Sequence, residues 1–120
     1  MNNSKHLVFV YGTLMKDECH HHMMKTAHFI GSAYAEGFEM IDFDPYPGVI
    51  VSRSEYGVFG ELWKCDDKTL ANLDRLEDIP HLYRRGLTIV TIRSGELKDM
   101  RAQAYIYVYN LENYFKLVVS

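Results

Sequence analysis

Apolar and polar positions along the chain alternate in short segments that predict more strands than helices. Leu7 to Tyr11 is a continuous apolar run, with the length of one buried strand. Residues 17 to about 27 are predicted to be helical, and Phe29 to Phe43 has strand character. Turns are predicted at DPYPG (44–48) and SGELKD (94–99). Further strands are predicted at Val49–Val51, Val58–Lys64, Leu82–Arg93 and Arg101–Tyr109.

A second helix is predicted between these strands, from about residue 67 to residue 79. Asp66 or Asp67 is a suitable N-cap residue, and Pro80 ends the helix because the residue before a proline is forced out of the helical conformation. The predicted fold class is therefore α+β, with most strands adjacent to their sequence neighbours and antiparallel.

Glu77 is the one carboxylate of this helix that a helical wheel places inside the apolar stripe, at steps of about 100° per residue. Asp74 falls at the edge of the stripe, and Asp78 points outward. A charge directed into a core must be hydrogen-bonded, paired or neutralised by a proton. Two interpretations remain open: an ion pair with Arg84 or Arg85, and a general base whose pKa is raised from about 4.3 by burial. The stripe itself is formed by Leu70, Leu73 and Leu76.

Composition indicates one folded domain, residues 1–120, because 48% of the residues are hydrophobic and 24% are charged. The net charge is −3, and the basic residues are scattered. This distribution argues against nucleic acid or an anionic membrane as a partner. The first residues do not read as a secretory signal or a membrane span, so a cytoplasmic location is expected.

The cysteines and histidines do not have metal-site spacing. Cys19 and Cys65 lie far apart, with no CxxC motif around them, and are expected to be free thiols. Three successive histidines, residues 20 to 22, cannot converge on one ion from either a helix or a strand. They are interpreted as exposed residues of a short helix whose Met23 and Met24 pack inward, and no metal site is predicted.

The first predicted strand runs into an abrupt Gly12–Thr13 turn. Small residues allow such a sharp turn, and its successive N–H groups can form an anion-binding nest. An ordinary strand-to-helix loop is the alternative. Phosphate-loop patterns are missing from the sequence, so nucleotide binding is not predicted.

Five short motifs, taken in order, resemble the γ-glutamylcyclotransferase-like family, and in particular its small AIG2-like and YtfP-like members. The resemblance extends from about Leu7 to Tyr109. It implies a small α+β domain in which a mixed, barrel-like β-sheet is flanked by helices. The motifs are FVYGTL (9–14), YPGV (46–49), GELW (60–63), LDRLE (73–77) and YRR (83–85).

The resemblance also implies an activity and a site. The activity is a γ-glutamyl cyclotransferase, in which the α-amine of a γ-glutamyl compound attacks its own γ-carbonyl and releases 5-oxoproline and an amine, without cofactor or metal. A non-catalytic module that binds γ-glutamyl or similar small carboxylate ligands is the alternative. In the family, Gly often follows the acid, whereas this chain has Asp78. The implied residues are Glu77 as the catalytic acid–base, and Tyr11, Gly12, Thr13, Leu14 and Tyr83 as substrate-binding residues.

Three further features are expected to have structural roles. Tyr105, Tyr107 and Tyr109 alternate with apolar residues on a strand that has one face in the core. Trp63 is expected to be core. The apolar tail, residues 114–120, is predicted to pack on the domain or on a second subunit, so the protein is expected to be a monomer or a homodimer.

Overall fold

The computed structural model of the protein describes residues 5–16, 18, 21–43, 46–53 and 57–110. Cys19, His20, the Asp44–Pro45 half of the predicted turn and the tail at 114–120 lie outside the described residues. Seven strands and one α-helix are described, together with short 3₁₀ turns at Gly12–Leu14 and His21–Met24. The strands and the helix are β1 (His6–Val10), β2 (His28–Glu36), β3 (Phe38–Phe43), β4 (Tyr46–Val51), β5 (Gly57–Cys65), α1 (Asp67–Leu76), β6 (Tyr83–Ile92) and β7 (Arg101–Tyr109).

Five of the strands form a closed barrel in the order β1-β5-β2-β6-β7. All neighbours in this barrel are antiparallel except β7 and β1, which pair in parallel and close the sheet. The predicted mixed, barrel-like sheet with flanking helical elements is therefore confirmed. The remaining two strands, β3 and β4, form a separate antiparallel ribbon.

The prediction that most strands pair with their sequence neighbours is wrong for β1, β2 and β5. The apolar run of β1 becomes fully buried towards its end, and β1 lies between β5 and β7 instead of at an edge. A strand buried in this way has to be paired on both sides, and the chain supplies those partners from distant segments.

Two predicted segments are shorter or divided in the structure. The strand character from Phe29 to Phe43 is split at Gly37, whose φ of 83° turns the chain between β2 and β3. In the described part of residues 17 to 27, the predicted helix is reduced to the 3₁₀ turn His21–Met24. Met24 is buried as predicted, and Met23 packs partly against the core.

The core has two layers, and strand β7 contributes to both. Its Ala104, Ile106 and Val108 point into the barrel, whereas Tyr107 and Tyr109 pack outside it, under α1. The prediction that one face of β7 is core is confirmed, and the other face is buried as well. Gly60 of β5 is also tightly packed, because a Cβ there would lie 2.3 Å from a backbone oxygen of β1.

The layer between the barrel and α1 joins the first 3₁₀ turn to the helix. It contains Leu14, Trp63, Leu70 and Leu73. Leu76, predicted to share this stripe, is 38% exposed because α1 ends there. Among the described residues, no helix is both long enough and apolar enough to span a membrane.

Candidate active site

Glu77 occupies the C-terminal end of α1, where the chain leaves the helix in a well-defined turn. The helix begins at Asp66, whose carboxylate accepts a 2.8 Å hydrogen bond from the Thr69 N–H. At the other end, Ile79 donates its N–H to the Asp74 carbonyl at 3.1 Å, which is the bond of a Schellman motif. Asp78 adopts a φ of 54° in this motif. Glu77 is therefore the last residue held by the helix.

The backbone conformation of Asp78 explains why this chain can have aspartate at the position after the acid, where the family often has glycine. The Schellman motif needs a left-handed residue at this position, which glycine adopts most easily and which aspartate tolerates. The Asp78 side chain is exposed, as the wheel predicted.

The Glu77 side chain is half-buried, and burial raises the pKa of its carboxyl from 4.5 to about 7. Among the described residues, none forms an ion pair with it. The interpretation that Glu77 is paired with Arg84 or Arg85 is therefore not supported. Arg85 pairs with Asp74, and Arg84 is exposed. A carboxyl with such a pKa can both accept and release a proton near neutral pH.

Three tyrosine side chains lie within electrostatic range of Glu77: Tyr11, Tyr83 and Tyr107. Burial, and then the charge of Glu77, raises the pKa of Tyr83 to about 12. Burial raises the pKa values of Tyr11 and Tyr107 as well, and the charge of Glu77 adds to both. Tyr83 packs edge-on against Tyr109, with ring centroids 5.4 Å apart. The three phenols stay protonated around a carboxyl that titrates near neutrality.

Tyr11 connects the first 3₁₀ turn to two other strands. Its hydroxyl donates to the Tyr107 carbonyl at 2.6 Å and accepts a hydrogen bond from the Val49 N–H at 3.3 Å. Gly12 follows with a φ of 63°, which allows the sharp turn that the sequence predicted. Both partners of the Tyr11 hydroxyl are therefore backbone groups of the protein.

The turn is also anchored on its C-terminal side. The Glu61 carboxylate accepts hydrogen bonds from the Lys16 N–H at 3.0 Å and from the Trp63 indole at 3.2 Å. His21 hydrogen-bonds to the Leu14 carbonyl at 3.0 Å, and its ring lies 5.1 Å from that of Trp63. The prediction that His21 is simply exposed is wrong, because its ring packs against this anchor. Trp63 is buried as predicted.

The predicted site residues therefore meet in part. Glu77, Tyr83 and Tyr11 come together, and Gly12 continues the chain from Tyr11. Leu14 is 3% exposed and packs in the core, so its side chain is a structural one. The side chain of Thr13 lies outside the described part of the structure, although its backbone belongs to the 3₁₀ turn.

Sequence reasoning missed a polar cluster beside Glu77. Asp74 accepts a 2.7 Å bond from Arg85 and a second 2.7 Å bond from the Tyr107 hydroxyl. The Arg85 guanidinium also lies over the Tyr105 ring, 4.6 Å from its centroid. The position of Asp74 at the edge of the stripe was the available signal. Pairing within the cluster joins α1, β6 and β7 next to the candidate base.

The described residues contain no group of three or more histidines, cysteines or acidic residues that could hold a metal ion. Cys65 is buried and unpaired by any disulfide, and burial raises the pKa of its thiol to about 11. The groups near Glu77 are thus three phenols and the polar cluster of Asp74 and Arg85, and together with the Glu77 carboxyl they suit proton transfer and the binding of small polar molecules.

Comparison with known proteins gives a consistent result. A Vibrio cholerae protein with the provisional name gamma-glutamylcyclotransferase is 37% identical over 106 residues, covering 88% of this chain and 83% of the relative. Gamma-glutamylaminecyclotransferase A of Danio rerio is 32% identical over 114 residues, covering 82% of this chain and 66% of that protein. The crystal structure of the mouse AIG2-like protein has a TM-score of 0.79 at 28% identity, covering 92% of this chain and 84% of that one.

The profile of one protein family matches residues 8–118, which include all the described strands except the first residues of β1. This chain is therefore a member of the gamma-glutamyl cyclotransferase, AIG2-like family.

Proposed function

We propose that the protein is a γ-glutamyl cyclotransferase that acts on a γ-glutamyl amino acid or a γ-glutamylamine, with Glu77 as its general acid–base. The observation that carries the proposal is the half-buried Glu77 carboxyl, which has a pKa of about 7 and forms no ion pair with any of the residues that the structure describes. Family membership supplies the reaction class, and the name of the Danio rerio relative supports including γ-glutamylamines.

The reaction moves two protons from the attacking nitrogen to the departing nitrogen and exchanges one C–N bond for another. The substrate α-ammonium loses a proton to the Glu77 carboxylate, and the free amine nitrogen attacks the γ-carbonyl carbon. As the new C–N bond closes the five-membered ring, the bond to the departing amine breaks. The departing nitrogen takes this proton from Glu77 and also the second proton, which the attacking nitrogen loses as it becomes the lactam N–H, so the amine leaves as an ammonium. The products are 5-oxoproline and the free amine, and no water is consumed.

The pKa of Glu77 suits this proton transfer. An α-ammonium has a pKa of about 8, so transfer to a carboxylate of pKa about 7 is uphill by about 1.4 kcal/mol. Transfer to an ordinary carboxylate of pKa 4.5 would be uphill by about 5 kcal/mol. Burial of Glu77 therefore lowers the cost of the first step by more than half.

The first 3₁₀ turn is proposed to hold the substrate α-carboxylate through its backbone. Gly12, Thr13 and Leu14 begin this turn, and the first N–H groups of a helical turn have no partner within it. Tyr11 fixes the turn from inside, and Tyr83 is proposed to donate a hydrogen bond to the substrate or to Glu77. Holding the substrate with its α-amine next to its own γ-carbonyl lowers the reaction barrier, by about 7–11 kcal/mol in well-oriented intramolecular reactions.

A panel of γ-glutamyl amino acids and γ-glutamylamines tests the proposal, with 5-oxoproline followed by mass spectrometry. Product from the wild type, and not from Glu77→Gln, is the expected result. If neither protein forms product and a panel member raises the melting temperature, the protein is a binding module for γ-glutamyl ligands instead. Equal turnover by Glu77→Gln would remove Glu77 from the mechanism.

A further inference from the structure

We propose that Asp74 is a positioning residue that keeps Arg85 away from Glu77, so that the Glu77 carboxyl remains unpaired. This inference rests on the proposed function of Glu77 as a base. It assigns to the cluster of Asp74, Arg85 and Tyr107 a role that differs from simple stabilisation of the fold.

The geometry places one arginine on a carboxylate that neighbours Glu77 along α1. Asp74 and Glu77 are three residues apart at the end of α1, so their side chains are neighbours on one side of the helix. Arg85 Nη1 lies 2.7 Å from Asp74 Oδ2, and the Tyr107 hydroxyl binds the other Asp74 oxygen at 2.7 Å. Asp74 thus holds Arg85 through one carboxylate oxygen and Tyr107 through the other.

The electrostatic environment of Tyr107 supports the same arrangement. The charges of Asp74, Arg85 and Glu77 all affect the pKa of its hydroxyl, so all three groups lie near Tyr107. The groups coupled to Glu77 are the phenols of Tyr11, Tyr83 and Tyr107. Since the phenols are neutral, Arg85 is the cation in this set that would pair with Glu77 if Asp74 were absent.

Such a pair would disable the base. An arginine within about 4–6 Å of a carboxylate lowers its pKa by about 1–3, which would return Glu77 towards the range of an ordinary glutamate. Asp74 prevents this in two ways: it occupies the guanidinium, and it cancels the positive charge that Glu77 would otherwise experience. The Arg85 guanidinium also lies over the Tyr105 ring, which helps to hold it at Asp74.

The test is a titration of the Glu77 side-chain carboxyl by NMR, in protein labelled with ¹³C-glutamate and without substrate. The Glu77 signal is the one that Glu77→Gln lacks. The wild-type midpoint is expected at about pH 7. In Asp74→Asn, the midpoint is expected to fall by about 1–3 pH units. In the double variant, Asp74→Asn with Arg85→Met, the midpoint is expected to rise again by about the size of that fall. It should then lie within about half a pH unit of the wild-type midpoint.

The double variant distinguishes two causes of a fall in the midpoint: pairing of Glu77 with the released Arg85, and loss of the Asp74 charge itself. An unchanged midpoint in Asp74→Asn overturns the proposal, and so does an equal fall in the double variant. Asp74→Ser is a second neutral variant that still accepts a hydrogen bond from Tyr107, and Asp74→Glu is expected to rescue the midpoint. The titration contains no substrate, so its result does not depend on the activity assay. Absence of turnover in that separate assay would count against the proposed function and would leave the titration result standing.

Discussion

Replacement of Glu77 by glutamine is expected to remove activity and to stabilise the protein above neutral pH. Glutamine has nearly the same shape but cannot titrate. In the folded protein, the Glu77 pKa is about 7, against an ordinary value of 4.5, so the folded state binds the proton more tightly. Between these two values the unfolded chain has lost a proton that the folded chain retains. Stability of the wild type therefore falls as the pH rises through this window.

The size of this effect follows from the two pKa values. At about 1.36 kcal/mol for each pKa unit, the difference between 4.5 and about 7 corresponds to about 3 kcal/mol. This stability is present below the unfolded pKa and is lost above the folded one. Glu77→Gln has no such loss. The difference in free energy of unfolding between Glu77→Gln and the wild type is therefore expected to change by about 3 kcal/mol from pH 4 to pH 8, in favour of the variant.

Urea unfolding of both proteins from pH 4 to pH 8 measures the stability, and 5-oxoproline formation measures the activity. Loss of a general base reduces turnover by about 10²–10⁴. Glu96→Gln removes an exposed carboxylate from the turn between β6 and β7 and is the matched control. Stability curves of Glu77→Gln and wild type that run parallel over this pH range would refute burial as the cause of the raised pKa. Undiminished turnover would refute the role of Glu77 as base.

Three further substitutions test the surroundings of the base. Tyr11→Phe leaves the Val49 N–H and the Tyr107 carbonyl without their buried partner, so urea unfolding should show a loss of about 1–3 kcal/mol; no loss would mean that these bonds contribute nothing. Tyr83→Phe is expected to lower kcat/KM about tenfold, with a circular dichroism spectrum like that of the wild type, and an unchanged kcat/KM would exclude its hydroxyl from the site. Asp78→Gly relieves a φ of 54° and should raise the melting temperature by about 4 °C while activity is retained; a lower melting temperature would contradict the account of the Schellman motif.

Local sequence patterns predicted the elements whose boundaries depend on nearby residues. Strand β7 begins at Arg101 and ends at Tyr109, as predicted, because turn residues precede it and apolar residues fill it. The turn before it contains Gly95 with a φ of 83°, which is the conformation that a glycine there allows. The cap at Asp66 was likewise predicted from the residue types next to the helix.

Pairing order and ion-pair partners were not predictable in this way. The register of β1 with β5 joins residues such as Val8 and Trp63, which no local pattern connects. The sequence offers two acidic residues of the helical segment as partners for Arg85, and only the packing of α1 on the barrel selects Asp74 over Glu77. The contact of Val49 with Tyr11 has the same origin, because it depends on where the β3–β4 ribbon lies.

Glu77 breaks a rule that the rest of α1 follows. Asp67 lies in the first turn and Arg75 in the last, so each charge opposes the partial charge at its own end of the helix. A carboxylate at the C-cap faces the negative end, which disfavours its charged form in the same direction as burial does. The acid lies one residue beyond the helix, before a left-handed turn that fixes the exit of the chain, and its burial there raises its pKa. A sequence that optimised only the helix would have a neutral residue or a cation there, and the exception falls on the residue that the proposed chemistry needs.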